Sequence, residues 1–346
     1  MSDNLILAFD YQVKGCAALG APFSSRILEL AAKDITAGGI TAQLLRDRAD
    51  LPADQLIRDA VALRLLASLH HLVLGGHAPE LASCHPPRAD DPDRAWEIAK
   101  SVLSKHSDLV VAMLDHEPQT NEVRRSACLL GGFLMIAQET GLPLRCFELG
   151  ASAGLNSLWD RFHYAIGDAT WGDPKSTVRL SCNWTGPAPS LATELCVAER
   201  HACDRRPVNL RQPGEAIRLL SYCWGEQGER MARLRAALAL VRDEAFKVDA
   251  ETAATWVCKA APMAGTATVL FHSIMWQYMP PEEQAAARAA LAKHVARASP
   301  DQPFYWLRME HNEVAQQFEL RLLAWNKDDD RLLAVVHPHG EFAHWQ

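Results

Sequence analysis

Residues 144–156 read Leu-Arg-Cys-Phe-Glu-Leu-Gly-Ala-Ser-Ala-Gly-Leu-Asn, and this run constrains the fold more tightly than any other part of the chain. A short apolar segment ends in an acid, Glu148. Two glycines, Gly150 and Gly154, then bracket a set of small residues, and a helical pattern follows at once. A parallel strand hands over in this way to a helix whose N-terminus sits against a ligand. Glycine carries no Cβ, so the backbone there can turn tightly and come close to a bound group.

From Leu144 onward short β-type runs alternate with helical ones, the pattern of a parallel sheet with crossover helices. Strands are expected at 144–149, 196–203, 245–248, 267–272, 304–309, 319–325 and 331–336, with crossover helices at 226–241 and 281–298. The last two strands flank the polar tip 326–330 and read as a hairpin that closes the sheet with an antiparallel edge. Residues 171–190, rich in Trp, Gly and Pro, read as an irregular insertion with one extra strand near 178–182. The fold expected is α/β, with a Rossmann-like seven-stranded sheet over residues 141–346 and an insertion near 157–195.

Residues 1–140 read as an α-helical N-terminal region. Between Asp54 and Leu74, Ala62, Leu65, Leu66, Leu69, Leu72 and Val73 recur at the spacing of one helix face. Gly75-Gly76 stops that helix. Another is expected over 121–140, with Thr120 as its cap and Gly141-Leu142-Pro143 closing it.

Composition excludes several classes. A formal charge of -7 argues against a broad electrostatic footprint for nucleic acid. Nine cysteines, an odd number with no Cys-x-x-Cys pair, suit neither a disulfide framework nor a Cys-rich zinc site. That fits a reducing, cytoplasmic setting. The N-terminal segment lacks the basic start and long apolar core of a signal peptide. The most apolar helix candidate, residues 127–137, falls far short of the ~20 residues that span a bilayer.

Two chemistries can be read from the loop itself. Glu148-x-Gly150-x-Ser152-x-Gly154 resembles the first motif of S-adenosylmethionine-dependent methyltransferases, with Ser152 where a middle glycine is usual. Gly150-x-Ser152-x-Gly154 is also the nucleophile elbow of α/β-hydrolases. A hydrolase elbow has much of its sheet before it, whereas here only helices precede Leu144 and six strand candidates follow. Glu148 points the same way, because an acid at the strand tip opposes a developing oxyanion and favours a cationic ligand. The hydrolase reading keeps a plausible chain order of Ser152, then Asp204 or Asp249, then His337 or His339.

Downstream residues supply further candidates. Asp204, at the end of the second strand, resembles the acid that accepts hydrogen bonds from ribose hydroxyls; capping the next helix is the bland alternative. Its distance from the loop exceeds the ~20 residues expected after a dinucleotide motif, which the insertion would have to explain. Asp249 follows the third strand, where a polar residue often meets adenine, or is simply a solvated turn acid. The segment 268–280, Thr-Val-Leu-Phe-His-Ser-Ile-Met-Trp-Gln-Tyr-Met-Pro, resembles the fourth strand and following loop of class I methyltransferases. It sets His272 and Ser273 at the ligand-binding edge. Trp276 and Tyr278 could face a sulfonium, or could simply pack. His272 is a candidate base near neutral pH, or a hydrogen-bonded structural residue.

Gln119-Thr120-Asn121-Glu122 precedes the helix leading into Leu144, a place from which it could overhang the loop; capping explains part of that run. His337-Pro338-His339-Gly340 holds two histidines without a matched carboxylate or cysteine spacing, so no metal site is expected there.

These segments together resemble an uncharacterised bacterial family, a domain of unknown function placed near the methyltransferase-like α/β folds. The residues that carry it are 119–122, 148–156, Phe271-His272-Ser273 with Trp276-Gln277-Tyr278, and 337–340. The resemblance implies a class I methyltransferase-like fold and a ligand site, and no known reaction.

The function expected is an S-adenosylmethionine-binding methyltransferase acting on a small or medium-sized molecule. The cofactor would meet Glu148, Gly150, Ala151, Ser152, Gly154, Asn156, Asp204, Asp249 and Ser273. Catalysis would draw on His272, Tyr278 and Glu122, and substrate contact on Gln119, Asn121, Trp276 and Gln277. The alternatives are a serine hydrolase using Ser152 and a non-catalytic nucleotide-binding or interaction protein on the same fold. No Asn/Asp-Pro-Pro-Tyr segment occurs, which argues against methylation of an amino group by that motif.

Overall fold

The computed structural model describes residues 3–244, 246–327 and 330–346. Parts of two expected features, Ala245 in a strand and Asp328-Asp329 in a hairpin tip, lie outside the described residues. The chain divides into two compact units. One is Met1–Thr120 with Arg211–Arg235; the other is Asn121–Leu210 with Ala236–Gln346.

The first unit is helical. It opens with α1 (Asp3–Ala18), α2 (Pro22–Thr36), α3 (Ile40–Leu44) and α4 (Ala53–Arg58). Next come α5 (Val61–Leu74), α6 (Pro79–Ser83), α7 (Pro92–Lys105) and α8 (Ser107–Asp115). The amphipathic stretch that reads as one helix from Asp54 is two, because Ala60 adopts a left-handed φ of 51° between α4 and α5. The recurring face of α5 does what its spacing predicts: Leu65, Leu69 and Leu72 are buried with Phe9, Leu28, Leu103 and Trp224. Within this core His70 stacks on His85, ring centroids 5.2 Å apart. Burial drives the His70 imidazole down to about 3, so it is neutral at physiological pH.

The second unit is a mixed α/β body built on one large, mostly parallel sheet of eleven strands. It begins with α9 (Ser126–Thr140), whose last turn ends on Gly141 in the left-handed region. The helix starts later than the pattern suggests: Asn121 has a φ of 35° and residues 123–125 form a single 3₁₀ turn. The strands are β1 (Leu144–Leu149), β2 (His163–Ile166), β3 (Ala169–Gly172), β4 (Arg179–Thr185), β5 (Val197–Asp204) and β6 (Asp249–Ala250). They continue with β7 (Ala267–Ser273), β8 (Phe304–Asn312), β9 (Gln317–Ala324), β10 (Asp330–Val336) and β11 (Phe342–Trp345). Of the remaining helices, α10 (Glu215–Ser221) belongs to the helical unit, α11 (Gly228–Asp243) has residues in both units, and α12 (Ala253–Trp256) and α13 (Pro281–Arg297) belong to the second.

The spatial order is β3-β2-β4-β11-β10-β9-β8-β7-β1-β5-β6. The block β6-β5-β1-β7-β8 is parallel throughout. From β1 the chain moves outward to β5 and β6, then returns to β1's other side for β7 and β8. The order therefore reverses between β1 and β7, the position where open α/β sheets leave a crevice. The pairs β8·β9 and β9·β10 are antiparallel, so β10 again runs with β1.

Eleven strands replace the seven expected, and the hairpin β9·β10 is interior instead of closing the sheet. Strands β2 and β4 come from the segment read as an irregular insertion, and β11 joins them to β10. Their signals are short and broken by Gly172-Asp173-Pro174 and Gly186-Pro187, which read as turns. β4 carries the longest alternation of these strands, with Leu180 and Cys182 buried between exposed neighbours.

One face of the sheet packs Phe147, Leu149, Leu270, Phe304 and Trp306 against Trp256, Ala287 and Leu291 of α12 and α13. On the other face Phe133 of α9 stacks flat on Trp159 at 4.0 Å and meets Phe271 edge-on. No helix among the described residues is long and apolar enough to cross a membrane.

Candidate functional site at the C-terminal edge of the sheet

Strands β1, β7, β8 and β10 run in one direction, so the segments that follow them leave the same edge of the sheet. The loop after β1 is pinned by its neighbours. Ala151 N–H donates to the Cys203 carbonyl at 3.0 Å, and Ser152 N–H donates to Asp204 Oδ2 at 2.8 Å. Asp204 Oδ1 accepts from Arg206 N–H at 2.8 Å, so the acid fastens the loop and caps its own turn. Asn121 donates to the Ala151 carbonyl and accepts from Leu155 N–H.

Gly150 has a φ of 65°, and a Cβ there would lie 2.8 Å from the Met275 side chain. Only glycine lets the loops after β1 and β7 touch at this point. Gly154 lies against Phe246 and Val248.

The helix expected directly after the loop is absent. Residues 156–161 form a 3₁₀ segment broken at Leu158, and the chain then enters β2. The cause is burial on every side: Leu155, Leu158 and Trp159 are all fully enclosed, so the segment plugs the sheet where a helix would present one apolar face.

Glu148 is buried at the tip of β1, and the Ser157 hydroxyl donates to its Oε2. Burial pushes its carboxyl up to about 8, against the pull of Ser157 and with a further push from the Asp204 charge. No cation acts on it among the described residues. Close by in sequence, Ser152 Oγ and Asn156 Oδ1 are buried without a hydrogen-bond partner. Ser152 also holds a left-handed φ of 54°, the posture of an elbow serine, yet among the described residues no histidine stands within hydrogen-bond distance of its Oγ.

His272 is fully buried. Its Nδ1 lies 2.6 Å from Glu310 Oε1, and its Nε2 accepts from Trp306 Nε1–H at 3.0 Å. With Trp276 stacked on the ring, the imidazole has no lone pair left for a substrate proton and works as a brace. Glu310 Oε1 also accepts from Met275 N–H at 3.1 Å, which anchors the loop that covers Gly150. Trp276 Nε1–H donates to Gln284, while Gln277 and Tyr278 are exposed. Asp249 is engaged by Trp256 Nε1–H at 2.8 Å and by Lys259, and the Trp256 bond chiefly holds its carboxyl below the usual range. Gln119 falls in the helical unit.

The structure also unites segments far apart in the chain. Arg125 donates through Nε to the Pro338 carbonyl at 2.9 Å and through Nη1 to the Ser273 carbonyl at 3.2 Å. Asn156 Nδ2 donates to the Glu122 carbonyl at 3.2 Å. Glu122 is 3 % exposed, and its Oε2 lies 3.6 Å from His339 Nδ1. Gly340, with a φ of 76°, presses on the Arg124 carbonyl, where a Cβ would approach to 2.2 Å. Two of the other three segments that carry the sequence resemblance, 148–156 and 337–340, therefore meet Asn121-Glu122 at one edge, and Arg125 ties Ser273 of the third to Pro338. Glu310 and Arg125 were not legible as site residues, because each acts on a partner set by the sheet order; Ser157 was not, because it reaches Glu148 only where the loop after β1 turns back on the strand.

Fold and edge together define a mixed α/β protein with a large, mostly parallel sheet and a polar cluster where its central strands end. The chain belongs to the family described as an uncharacterized protein conserved in bacteria (DUF2332), whose profile matches residues 7–345. No curated protein and no solved structure matches it.

Proposed function

We propose that the sheet unit binds a ligand with a cationic amino-acid head, with S-adenosylmethionine as the ligand, and acts as a methyltransferase-like protein on a small or medium-sized molecule. The observation that carries this reading is Glu148: a buried carboxyl without a cation among the described residues, at the tip of the central strand, where the strand order reverses. A ligand ammonium would complete the charge pair that the protein leaves open. The residues nearby fit such a head, since Ser152 Oγ and Asn156 Oδ1 are buried with hydrogen-bonding capacity unspent.

Asp204 keeps unused lone pairs after accepting two backbone N–H groups, so it can also accept from a ribose. No role is assigned to Asp249. When bound, S-adenosylmethionine supplies an electrophilic methyl group on a sulfonium. The protein's part is to orient the two reactants and exclude water around them.

Calorimetry with S-adenosylmethionine and S-adenosylhomocysteine tests the reading. Binding to the wild type, weakened at least ~10-fold in Glu148→Gln by loss of a charged hydrogen bond, is expected. Absence of binding to the wild-type protein would sink it.

A further inference from the structure

Glu122 and His339 stand 217 positions apart in the sequence, and their side chains meet at this edge. Glu122 is almost wholly enclosed, with Oε1 accepting from Arg124 N–H at 3.2 Å. Its Oε2 faces His339 Nδ1 at 3.6 Å, whereas the His339 side chain remains 23 % exposed. At 3.6 Å the contact is an ion-pair approach, and a carboxylate on the Nδ1 side favours the proton there and the lone pair on Nε2.

The surrounding groups reinforce that polarity. His337 Nδ1 accepts from the His339 backbone N–H at 3.2 Å, and the Glu341 carboxylate lies 4.0 Å from His337 Nε2. Arg124 pairs with Glu341 at 3.3 Å. Asn156, which donates to Glu122's carbonyl, contributes a buried Oδ1 without a partner, so the cluster has capacity for one more hydrogen-bond donor.

We infer that His339 is a proton acceptor for a hydroxyl-bearing substrate at this edge, and that Glu122 is its positioning residue. The substrate O–H bond breaks, the proton passes to Nε2, and the resulting imidazolium is balanced by the Glu122 carboxylate. The oxygen is left with the electron pair that makes it a nucleophile. An alcohol or phenol requires such a base at neutral pH; a thiol or neutral amine needs it far less. The substrate class rests on the methyltransferase reading, while the pairing of Glu122 with His339 does not.

The pairing is tested without any cofactor, by the rate at which diethyl pyrocarbonate modifies each histidine, followed by peptide mapping. His339 should react readily and buried His272 should not. Glu122→Gln should slow His339 several-fold, Glu122→Asp should restore it, and exposed His344 should be indifferent to both. An unreactive His339, or a rate unmoved by Glu122→Gln, overturns the pairing.

The substrate class is tested with S-adenosylmethionine and paired probes, phenol and catechol against benzylamine and thiophenol. Product from the hydroxyl probes is expected, reduced ~10²–10⁴-fold in His339→Asn with cofactor affinity unchanged. Product from the amine or thiol alone, or none from the hydroxyls when calorimetry shows cofactor bound, overturns the hydroxyl assignment. No binding heat at all identifies failure of the methyltransferase reading instead.

Discussion

Asp204 Oδ2 accepts the backbone N–H of Ser152 at 2.8 Å, and this bond ties the end of β5 to the glycine loop after β1. The same carboxylate holds Arg206 N–H through its other oxygen. Asp204→Ala should therefore cost about 1.5–3 kcal/mol for each charged hydrogen bond lost, read as a shift of the denaturant midpoint. A variant as stable as the wild type would show that the loop keeps its shape without this acid.

Glu148 makes stability fall as pH rises. Its carboxyl ionises near its ordinary value of 4.5 in the unfolded chain and at about 8 in the folded one, so the folded state holds the extra proton between those limits. The stabilising contribution is complete below 4.5 and is lost progressively up to about 8. Glu148→Gln should gain on the wild type across that window, as urea titrations at a series of pH values would reveal. A difference that does not vary with pH would contradict the burial argument.

His272 braces two strands and the loop beyond β7, so replacing it should be felt in folding. In His272→Leu, Glu310 loses one of its donors and Trp306 Nε1–H its acceptor, at about 1–3 kcal/mol for each group stranded. Thermal unfolding should show the loss, while ligand affinity in the folded fraction changes little. The opposite pattern, unchanged stability with abolished binding, would return His272 to the chemistry.

Ser152→Gly removes the side chain from a residue held at a left-handed φ of 54°. Relief of the left-handed backbone should offset glycine's greater unfolded-state entropy and leave the variant up to about 1 kcal/mol more stable. Fluorophosphonate probes should not label Ser152 in the wild type. Labelling that disappears in Ser152→Ala would revive the hydrolase alternative.

Gly340→Ala should be poorly tolerated. The left-handed backbone alone costs roughly 1–2 kcal/mol for an L-residue, and the contact with the Arg124 carbonyl adds to it. Hydrogen exchange at the amides of residues 337–340 should accelerate, reporting that the tail has lifted from its seat.

The parallel block was legible because its strands carry their own signal. β1 matches its expected bounds, and β7 and β8 start where the apolar runs start, since each is buried along most of its length. Strands β2, β3 and β11 have four residues each and lie where Gly, Pro and Asp read as turns. Segments this short become strands only when a partner arrives, and no local pattern announces the partner. The site was legible in the same uneven way. The motif Glu148–Gly154 and the polar run at Asn121-Glu122 stood out as residues, but the ties that join Arg125 to Ser273 and Pro338, or Glu122 to His339, depend on which loops the sheet order brings together.

Strand β11 has a consequence for how the sheet is assembled during synthesis. It is the only described link between β4 and β10, and Thr185 meets His344 across 159 positions of sequence. Strands β2 to β4 leave the ribosome early, and their ladder is joined to the rest of the sheet only when residues 342–345 emerge. Until then β4 and β10 each offer a row of unmatched backbone groups, an invitation to pairing with other nascent chains. The four-residue segment Phe-Ala-His-Trp thus decides when the second unit becomes a single sheet.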